Sequence, residues 1–178
     1  MKSFPEPGTL PALEGLVCKQ LTPQDAASIM TLQAQMLAAL PDPTWYYPSD
    51  YTMFADCCQR GESFGFFSGE TLAGFGTLTP WYARPDRNYA LKVGDPVENT
   101  YDFQDVMVSP LFRRRGIHSA LLDFFERLAR DAGGVALYCT IAPDNIPSVR
   151  SFEKAGYQCI LQKPAYEGML RGYFRKRL

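Results

Sequence analysis

The stretch from Val106 to Leu122 constrains the fold more than any other part of the chain. It reads VMVSPLFRRRGIHSALL, in which β-branched residues favour a strand and a proline, which has no N–H, ends it. From Ser119 onward, apolar residues such as Leu121 and Phe125 recur at helical spacing. The stretch therefore predicts a strand, a basic turn and a helix in direct succession.

The basic turn of this unit predicts a site for a polyanion. Three arginines, Arg113–Arg115, precede Gly116. The first N–H groups of the following helix have no partner within it and carry a partial positive charge. Glycine also lets the backbone approach a bound group closely. We therefore expect the turn to bind an anion such as a pyrophosphate.

The composition excludes several classes of protein. The chain has 178 residues, enough for one domain, and its 18 basic and 19 acidic side chains give a net charge of −1. This balance argues against a nucleic-acid-binding protein, which usually carries a net basic charge. Neither an apolar run of about 20 residues nor an apolar leader is visible, so we expect no membrane segment and no secretion.

The cysteines and the single histidine argue against metal chemistry. The five cysteines lack the spacing of metal ligands, and one histidine is too few for a zinc site or a histidine-based triad. An odd number of cysteines without a secretion signal indicates reduced thiols and a cytoplasmic protein. We therefore expect no metal.

Alternating strand and helix patterns predict an α/β fold around a mixed sheet. We expect an N-terminal arm over residues 1–14, one domain over residues 15–178, and a long loop over residues 80–99. The basic residues from Arg171 to Arg177 are expected on the solvated side of the last strand. The expected strands are 16–21, 63–68, 72–79, 100–108, 135–141, 157–162 and 166–174, and the expected helices are 22–40, 50–60, 116–131 and 145–154.

Two ordered motifs resemble those of the GCN5-related N-acetyltransferase (GNAT) family. The first, Val-Ser-Pro-Leu-Phe-Arg-Arg-Arg-Gly over residues 108–116, resembles a strand ending in Val-x-Pro followed by Arg-x-x-Gly at a helix start. The second runs from Asn145 to Tyr157 and ends in Phe-Glu-Lys-Ala-Gly-Tyr. The resemblance covers the chain from Leu16 to its C-terminus.

The resemblance implies a fold, a co-substrate and a reaction. The fold is the single-domain acyl-CoA N-acyltransferase fold, a mixed, mostly antiparallel sheet of about seven strands flanked by about four helices. The co-substrate is acetyl-CoA or another acyl-CoA, whose thioester arm enters where strands 100–108 and 135–141 splay apart. The reaction is transfer of the acyl group, expected to be acetyl, to a primary amine of a small molecule or peptide by direct attack in a ternary complex.

The residues implied to contact the acyl-CoA come from both motifs. His118 stands where the family usually has glycine or alanine. It is expected to donate to a phosphate, to fill the space that a glycine would leave, or to be exposed. The implied contacts are Val106, Met107, Val108, Arg113, Arg114, Arg115, Gly116, Ile117, His118, Ser119, Asn145, Ser148 and Phe152.

A carboxylate is the expected general base. An alkyl amine has a pKa near ~10.4 and must lose a proton before it attacks. The resemblance favours Asp102, with Glu98 and Asp105 as alternatives. Strand alternation places Asp102 on the face of Val106 and Val108 and turns Asp105 the other way, and a bulge in the strand would exchange them.

Two further catalytic groups are expected nearby. The resemblance implies that a backbone N–H near Met107–Val108 stabilises the oxyanion. Many family members protonate the departing sulfur with a tyrosine one position before Glu-Lys, where this chain has Phe152. Tyr138 or Tyr101 is expected to substitute, or the thiolate leaves without an acid.

Aromatic residues in two loops are expected to bind the acceptor or, alternatively, to cap the edge of the core. In the first case they suit an amine attached to an apolar or aromatic group. The residues are Trp45, Tyr46, Tyr47, Trp81 and Tyr82.

Two other functions remain open at this point. A non-catalytic acyl-CoA-binding module is an alternative, because Phe152 cannot protonate the departing sulfur and the general acid is therefore unassigned. A nucleotide-phosphate enzyme using the same turn is weaker, because neither Gly-x-x-x-x-Gly-Lys-Ser/Thr nor Gly-x-Gly-x-x-Gly is present. We expect an amine acceptor as partner, neither nucleic acid nor membrane, and leave a homodimer open.

Overall fold

The computed structural model describes residues 4–178 and contains a seven-stranded mixed sheet. Its strands are β1 (Val17–Gln20), β2 (Ser63–Ser68), β3 (Thr71–Pro80), β4 (Thr100–Val108), β5 (Ala136–Ile141), β6 (Gln158–Ala165) and β7 (Met169–Arg177). They lie in the order β1-β2-β3-β4-β5-β7-β6. Neighbouring strands run antiparallel except β4 and β5, which run parallel. The expected mixed, mostly antiparallel sheet is confirmed.

Helices cover both faces of the sheet. They are α1 (Ala26–Ala38), α2 (Tyr51–Gln59), α3 (Tyr89–Val93), α4 (Ile117–Asp131) and α5 (Ile146–Lys154). On one face, Ile29 of α1 and Phe54 of α2 pack with Phe75 of β3. On the other face, Phe125 of α4 and Phe152 of α5 belong to a larger buried cluster. The sheet is therefore enclosed between two apolar layers.

The strand β4 is divided by a β-bulge. Phe75 of β3 lies opposite Met107, while Thr77 lies opposite Gln104. The same interval therefore spans three residues in β4 and two in β3. The extra residue lies at Asp105, whose φ is +49°. Aspartate tolerates this left-handed conformation better than most residues do.

Beyond its first residues, β4 separates from β5. The two strands pair across Thr100, Tyr101 and Asp102, and their pairing ends there. Beyond this point β5 continues to pair with β7 through Ile141, and β4 continues to pair with β3. A notch therefore opens between the second halves of β4 and β5, as the resemblance implied.

Two expected elements differ from the structure. The last hairpin turns at residues 166–168, with φ of 43° at Tyr166, 62° at Glu167 and 93° at Gly168, and not at residues 163–165. β6 continues through Pro164 because it is an edge strand, where proline is tolerated. The expected loop over residues 80–99 contains the short helix α3, whose N-cap Asn88 accepts hydrogen bonds from two backbone N–H groups.

The N-terminal arm lies against α4 and the basic turn. Arg127 donates from Nη2 to the carbonyl oxygen of Thr9 at 2.9 Å, and Arg115 donates from Nη2 to that of Glu14 at 3.0 Å. Residues 1–3 of the expected arm lie outside the described residues. Within residues 4–178, no helix combines the length and the apolar character needed to cross a bilayer.

Candidate active site

Two cavities share a wall where β4 and β5 splay apart. The notch cavity, of about 350 Å³, lies between these strands and the first turns of α4 and α5. The loop cavity, of about 860 Å³, is lined by the segment between α1 and α2, by residues 84–92 and by the β6–β7 hairpin. Five residues line both cavities: Trp45, Tyr46, Phe103, Asp105 and Thr140.

The notch cavity brings residues of both sequence motifs together. Six of the implied acyl-CoA contacts line it: Val106, Val108, His118, Asn145, Ser148 and Phe152. Asn145 caps α5 by accepting a hydrogen bond from the Ser148 N–H at 3.3 Å. The side chains of three others do not line it, because Met107 and Ile117 are buried in the two apolar layers and Ser119 is exposed on α4.

The basic turn is exposed between Val108 and His118, which both line the notch cavity. Gly116 has a φ of +81°, so its backbone conformation favours glycine, although a Cβ there would meet nothing closer than 3.7 Å. The next residues begin α4, whose first N–H groups are available to an anion. The accessible turn, its arginines and these N–H groups fit the diphosphate of an acyl-CoA.

His118 joins α4 to α5. Its Nδ1 lies 3.0 Å from the Ser151 hydroxyl, and its ring meets the Phe152 ring edge-on at 5.2 Å between centroids. Burial lowers the pKa of His118 to about 4, so the ring is neutral at pH 7. A neutral, half-buried ring that lines the notch cavity fills space between the helices and can donate one hydrogen bond, but it adds no positive charge for a phosphate.

Asp105 lies on the wall that the two cavities share. Its Oδ1 accepts hydrogen bonds from the Tyr46 hydroxyl at 2.9 Å and the Ser49 hydroxyl at 3.2 Å. Its Oδ2 is buried and has no hydrogen-bond partner among residues 4–178. Burial raises the pKa of Asp105, and the two hydrogen bonds and the charge of Arg84 offset this only in part. Such a carboxylate is suited to accept a proton.

Asp102 lies on the opposite side of the bulge and has a different environment. It is 2% exposed, lines neither cavity, and accepts one hydrogen bond at Oδ2 from the Tyr89 N–H at 3.0 Å. Burial raises its pKa well above the usual value. The prediction that Asp102 shares the face of Val106 and Val108 is wrong, because the bulge adds a residue between them. Glu98 is exposed before β4 and also lines neither cavity.

The expected proton donors for the leaving group lie away from the shared wall. Tyr138 donates from its hydroxyl to Asp95 at 2.7 Å, and neither Tyr138 nor Tyr101 lines a cavity. Phe152, which does line the notch cavity, packs edge-on against Phe103 at 5.7 Å. The hydroxyl at the shared wall besides Tyr46 is that of Thr140, 2.9 Å from the Tyr166 hydroxyl.

The structure separates the five aromatic residues that were expected at the acceptor site. Trp45, Tyr46 and Tyr47 line the loop cavity. Trp81 and Tyr82 lie after β3 and outside both cavities, with their rings edge-to-face at 5.7 Å. The aromatic wall is completed by residues that the sequence did not single out, among them Tyr166, whose ring stacks on Tyr47 at 5.2 Å.

Positively charged residues of the loop cavity were also missed. They are Arg84, Arg87, Lys92, Lys163 and Arg171. The prediction that Arg171 is solvated is wrong, since the residue is 3% exposed. Strand alternation in the sequence could have indicated the position of Arg171, because Arg171 shares its face of β7 with Tyr173, which also lines this cavity.

The family model that matches this sequence is Acetyltransf_1, the acetyltransferase (GNAT) family, over residues 31–157. No curated protein matches the chain by sequence.

Solved structures with the same fold cover nearly the whole chain. The ribosomal-protein-S18-alanine N-acetyltransferase from Escherichia coli has a TM-score of 0.67 at 15% identity, over 91% of this chain and 93% of that one. The yncA protein from Salmonella typhimurium, solved with its cofactor acetyl-CoA, has a TM-score of 0.67 at 17% identity, over 93% and 95%. A GCN5-related N-acetyltransferase from Kribbella flavida has a TM-score of 0.67 at 17% identity, over 93% and 99%.

Proposed function

Because the chain belongs to the acetyltransferase (GNAT) family, whose members use acetyl-CoA, we propose that it transfers an acetyl group from acetyl-CoA to a primary amine of a small molecule or peptide. The observation that carries this proposal is the wall shared by the notch cavity and the loop cavity. A thioester in the first and an amine in the second would meet beside Asp105.

The residues around the notch cavity support its use by the acyl donor. The basic turn, with Arg113, Arg114 and Gly116, holds the diphosphate at the start of α4. Val106 and Val108 on β4 and Asn145 on α5 line the path between this turn and the shared wall. In this assignment the acyl group lies at the far end of the notch, next to Asp105.

We assign the role of general base to Asp105 in place of Asp102. Its Oδ2 has no hydrogen-bond partner in the described chain, and its raised pKa makes it a stronger base than an exposed carboxylate. The proton passes from the amine to Asp105, and the nitrogen then forms the C–N bond to the acetyl carbon. The C–S bond breaks, the electron pair leaves with the sulfur, and the nitrogen releases its second proton to water as the amide forms.

Direct attack is favoured over an acetyl-cysteine intermediate. Cys139 lines the notch cavity, but it is 2% exposed and burial raises the pKa of its thiol well above the usual value. A protonated thiol is a poor nucleophile. Neither Cys57 nor Cys58 lines either of these two cavities. The amine therefore attacks within a complex that holds both substrates.

The backbone of β4 offers a donor for the oxyanion. The Ser109 N–H donates to Ala73 of β3 at 2.9 Å, so strand alternation points the Val108 N–H the other way, into the notch. We assign this N–H to the developing negative charge or to the adjoining amide of the donor. With Phe152 in the position of the acid, the sulfur leaves as a thiolate, which is acceptable because a thiol has a pKa of only ~8.5.

Purified protein incubated with acetyl-CoA and a panel of primary amines tests this proposal. We expect release of free coenzyme A together with an equal amount of N-acetylated amine, measured by mass spectrometry. Binding of acetyl-CoA in calorimetry without turnover of any amine would contradict the proposal and favour the non-catalytic binding module.

A further inference from the structure

We propose that the acceptor of this enzyme carries an anionic group, a carboxylate or a phosphate, in addition to the amine that is acetylated. This inference rests on the proposed function, because it concerns the acceptor side of the same site. It is carried by the charges and contacts of the loop cavity.

The loop cavity contains more positive than negative side chains. Five of its lining residues are basic: Arg84, Arg87, Lys92, Lys163 and Arg171. Two are acidic, Asp50 and Asp105. Asp50 caps α2 by accepting a hydrogen bond from the Met53 N–H at 2.7 Å, and Asp105 is the assigned base. Neither carboxylate forms an ion pair with any of the five basic residues.

Arg171 is the most informative of the five. It is 3% exposed, and its guanidinium donates to the carbonyl oxygens of Leu170 at 2.9 Å and Thr44 at 2.8 Å. Among residues 4–178, no carboxylate lies within ion-pair distance of it. A buried charge is costly unless it is paired. An anionic ligand in the cavity would supply the missing partner.

Arg84 has similarly weak partners. Its guanidinium nitrogens lie 3.1 Å from the Met53 sulfur and 3.3 Å from the Cys57 sulfur, and no ion pair with a carboxylate is formed within the described chain. Sulfur is a weak acceptor of hydrogen bonds. Arg84 is also close enough to Asp105 to lower the pKa of that carboxyl. It can therefore serve an anion near the reacting amine.

Lys163 adds a positive charge on the side of the loop cavity formed by the β6–β7 hairpin. Its ammonium group donates to the carbonyl oxygen of Lys92 and lies 5.1 Å from the centre of the Tyr173 ring. Arg87 is the weakest member, because it is exposed and has an ion pair with Asp86 at 3.9 Å. The basic residues of the loop cavity thus combine the buried guanidinium of Arg171 with more accessible cations. This arrangement suits a small anion that enters from solvent.

These charges revise the acceptor expected from the sequence. Trp45, Tyr46 and Tyr47 suggested an amine on an apolar or aromatic group. In the loop cavity, however, the Tyr166 ring faces the Arg171 guanidinium at 5.6 Å. The rings of Tyr166 and Tyr173 therefore lie beside cationic groups. An acceptor with an amine at one end and an acid at the other matches the carboxylate of Asp105 and the guanidinium groups.

Matched pairs of acceptors test the inference. The ω-amino acids from glycine to 5-aminopentanoate are compared with their primary amides, and O-phosphoethanolamine is compared with ethanolamine. We expect kcat/KM to be about tenfold or more higher for the acidic member of at least one pair. A preference confined to the amino acids assigns a carboxylate, and one confined to phosphoethanolamine assigns a phosphate.

Substitutions show whether the loop cavity causes the preference. Arg84→Gln removes a charge that contacts two sulfur atoms, and Arg171→Gln removes the buried charge. Each should reduce the acidic-over-neutral ratio of kcat/KM about tenfold, and any effect of the substitution on Asp105 acts on both members of the pair and cancels in this ratio. Arg171→Lys keeps a positive charge at this position, so its comparison with Arg171→Gln distinguishes loss of the charge from loss of the fold. The matched control is Arg130→Gln on α4, which removes a surface pair with Glu126 and should leave the preference unchanged.

The outcomes separate this inference from the proposed function. Equal or better turnover of the neutral amines would overturn the inference while leaving acetyl transfer intact. If no amine is acetylated, transfer is contradicted. Binding of the N-acetylated products in the presence of coenzyme A, measured by calorimetry, then decides the inference. Tighter binding of the acidic product supports it, and equal binding overturns it.

Discussion

The two halves of β4 carry one aspartate each, and the two carboxylates differ in their access to the cavities. Asp102 lies in the half that is paired with strands on both sides, and it is sealed in the interior. Asp105 lies at the bulge, where pairing with β5 has ended, and it faces both cavities. Burial raises the pKa of both carboxyls, so the pKa alone does not distinguish them. Access, set by one extra residue in the strand, does.

The largest effect is expected from exchanging each aspartate for asparagine. Asp105→Asn removes the proposed base and should lower kcat by about 100-fold or more. Asp102→Asn should leave kcat within about threefold, since this side chain lines neither cavity. The measurement is steady-state release of coenzyme A with a good acceptor, and equal losses in the two variants would remove the distinction between the two halves of the strand.

A second prediction concerns the donor end of the notch. Gly116→Glu forces a left-handed conformation on a residue with a side chain and places a carboxylate beside the proposed diphosphate. We expect the Kd for acetyl-CoA, measured by calorimetry, to rise about tenfold or more. Gly133→Glu is the matched control at the other end of α4, because Gly133 has a φ of +75° and open space around it. If both variants bind equally well, the turn does not hold the donor.

The pH dependence of kcat sharpens the assignment of Asp105. Activity should rise with pH as this carboxyl loses its proton, with a midpoint above the usual aspartate value of ~3.9. The Tyr46 hydroxyl favours the charged form by donating to it, so Tyr46→Phe should move the midpoint upward by about 1 pH unit.

Tyr47→Phe is the control for that shift. The Tyr47 hydroxyl contacts Glu167 at 3.3 Å and not Asp105, so its removal should leave the midpoint in place. A midpoint that is the same in wild type and in Tyr46→Phe would argue against Asp105 as the titrating group.

The smallest expected effect concerns stability. The folded-state pKa of Asp102 is raised, so the folded protein holds this proton at pH values where the unfolded chain has released it. The contribution of this group to stability is therefore present below pH ~4 and is lost as pH rises toward the folded-state pKa. Asp102→Asn lacks this loss and keeps an acceptor for the Tyr89 N–H.

Urea unfolding at pH 5 and pH 8 measures this effect. Relative to wild type, the free energy of unfolding of Asp102→Asn should be larger at pH 8 than at pH 5. The same difference at both pH values would mean that Asp102 does not hold a proton in the folded state.

The parts that the sequence predicted well depend on local patterns. The strands Ser63–Ser68 and Thr100–Val108 have the expected bounds, and the helix expected at 116–131 begins one residue later. Six of the residues implied to contact acyl-CoA line the notch cavity, because each motif places its residues at the end of a strand or the start of a helix. Such positions follow from turn and helix-start chemistry alone.

The parts that were missed depend on contacts between distant segments. Whether β4 contains a bulge is decided by its pairing with β3, so the sequence left Asp102 and Asp105 open. The loop cavity combines Arg84, Lys163 and Arg171 from three separate segments, and no pattern within one segment brings them together. Trp81 and Tyr82 resembled binding residues by composition, but their positions depend on how the chain leaves β3.

A crystal structure of the protein with coenzyme A and an N-acetylated product tests the central claim most directly. We predict the pantetheine arm between β4 and β5 beyond Asp102, with the sulfur and the product nitrogen on the Asp105 side of the bulge. The nitrogen should lie within hydrogen-bond distance of Asp105, directly or through one water. A sulfur placed outside the notch, or a product nitrogen whose nearest carboxylate is not Asp105, would contradict this account.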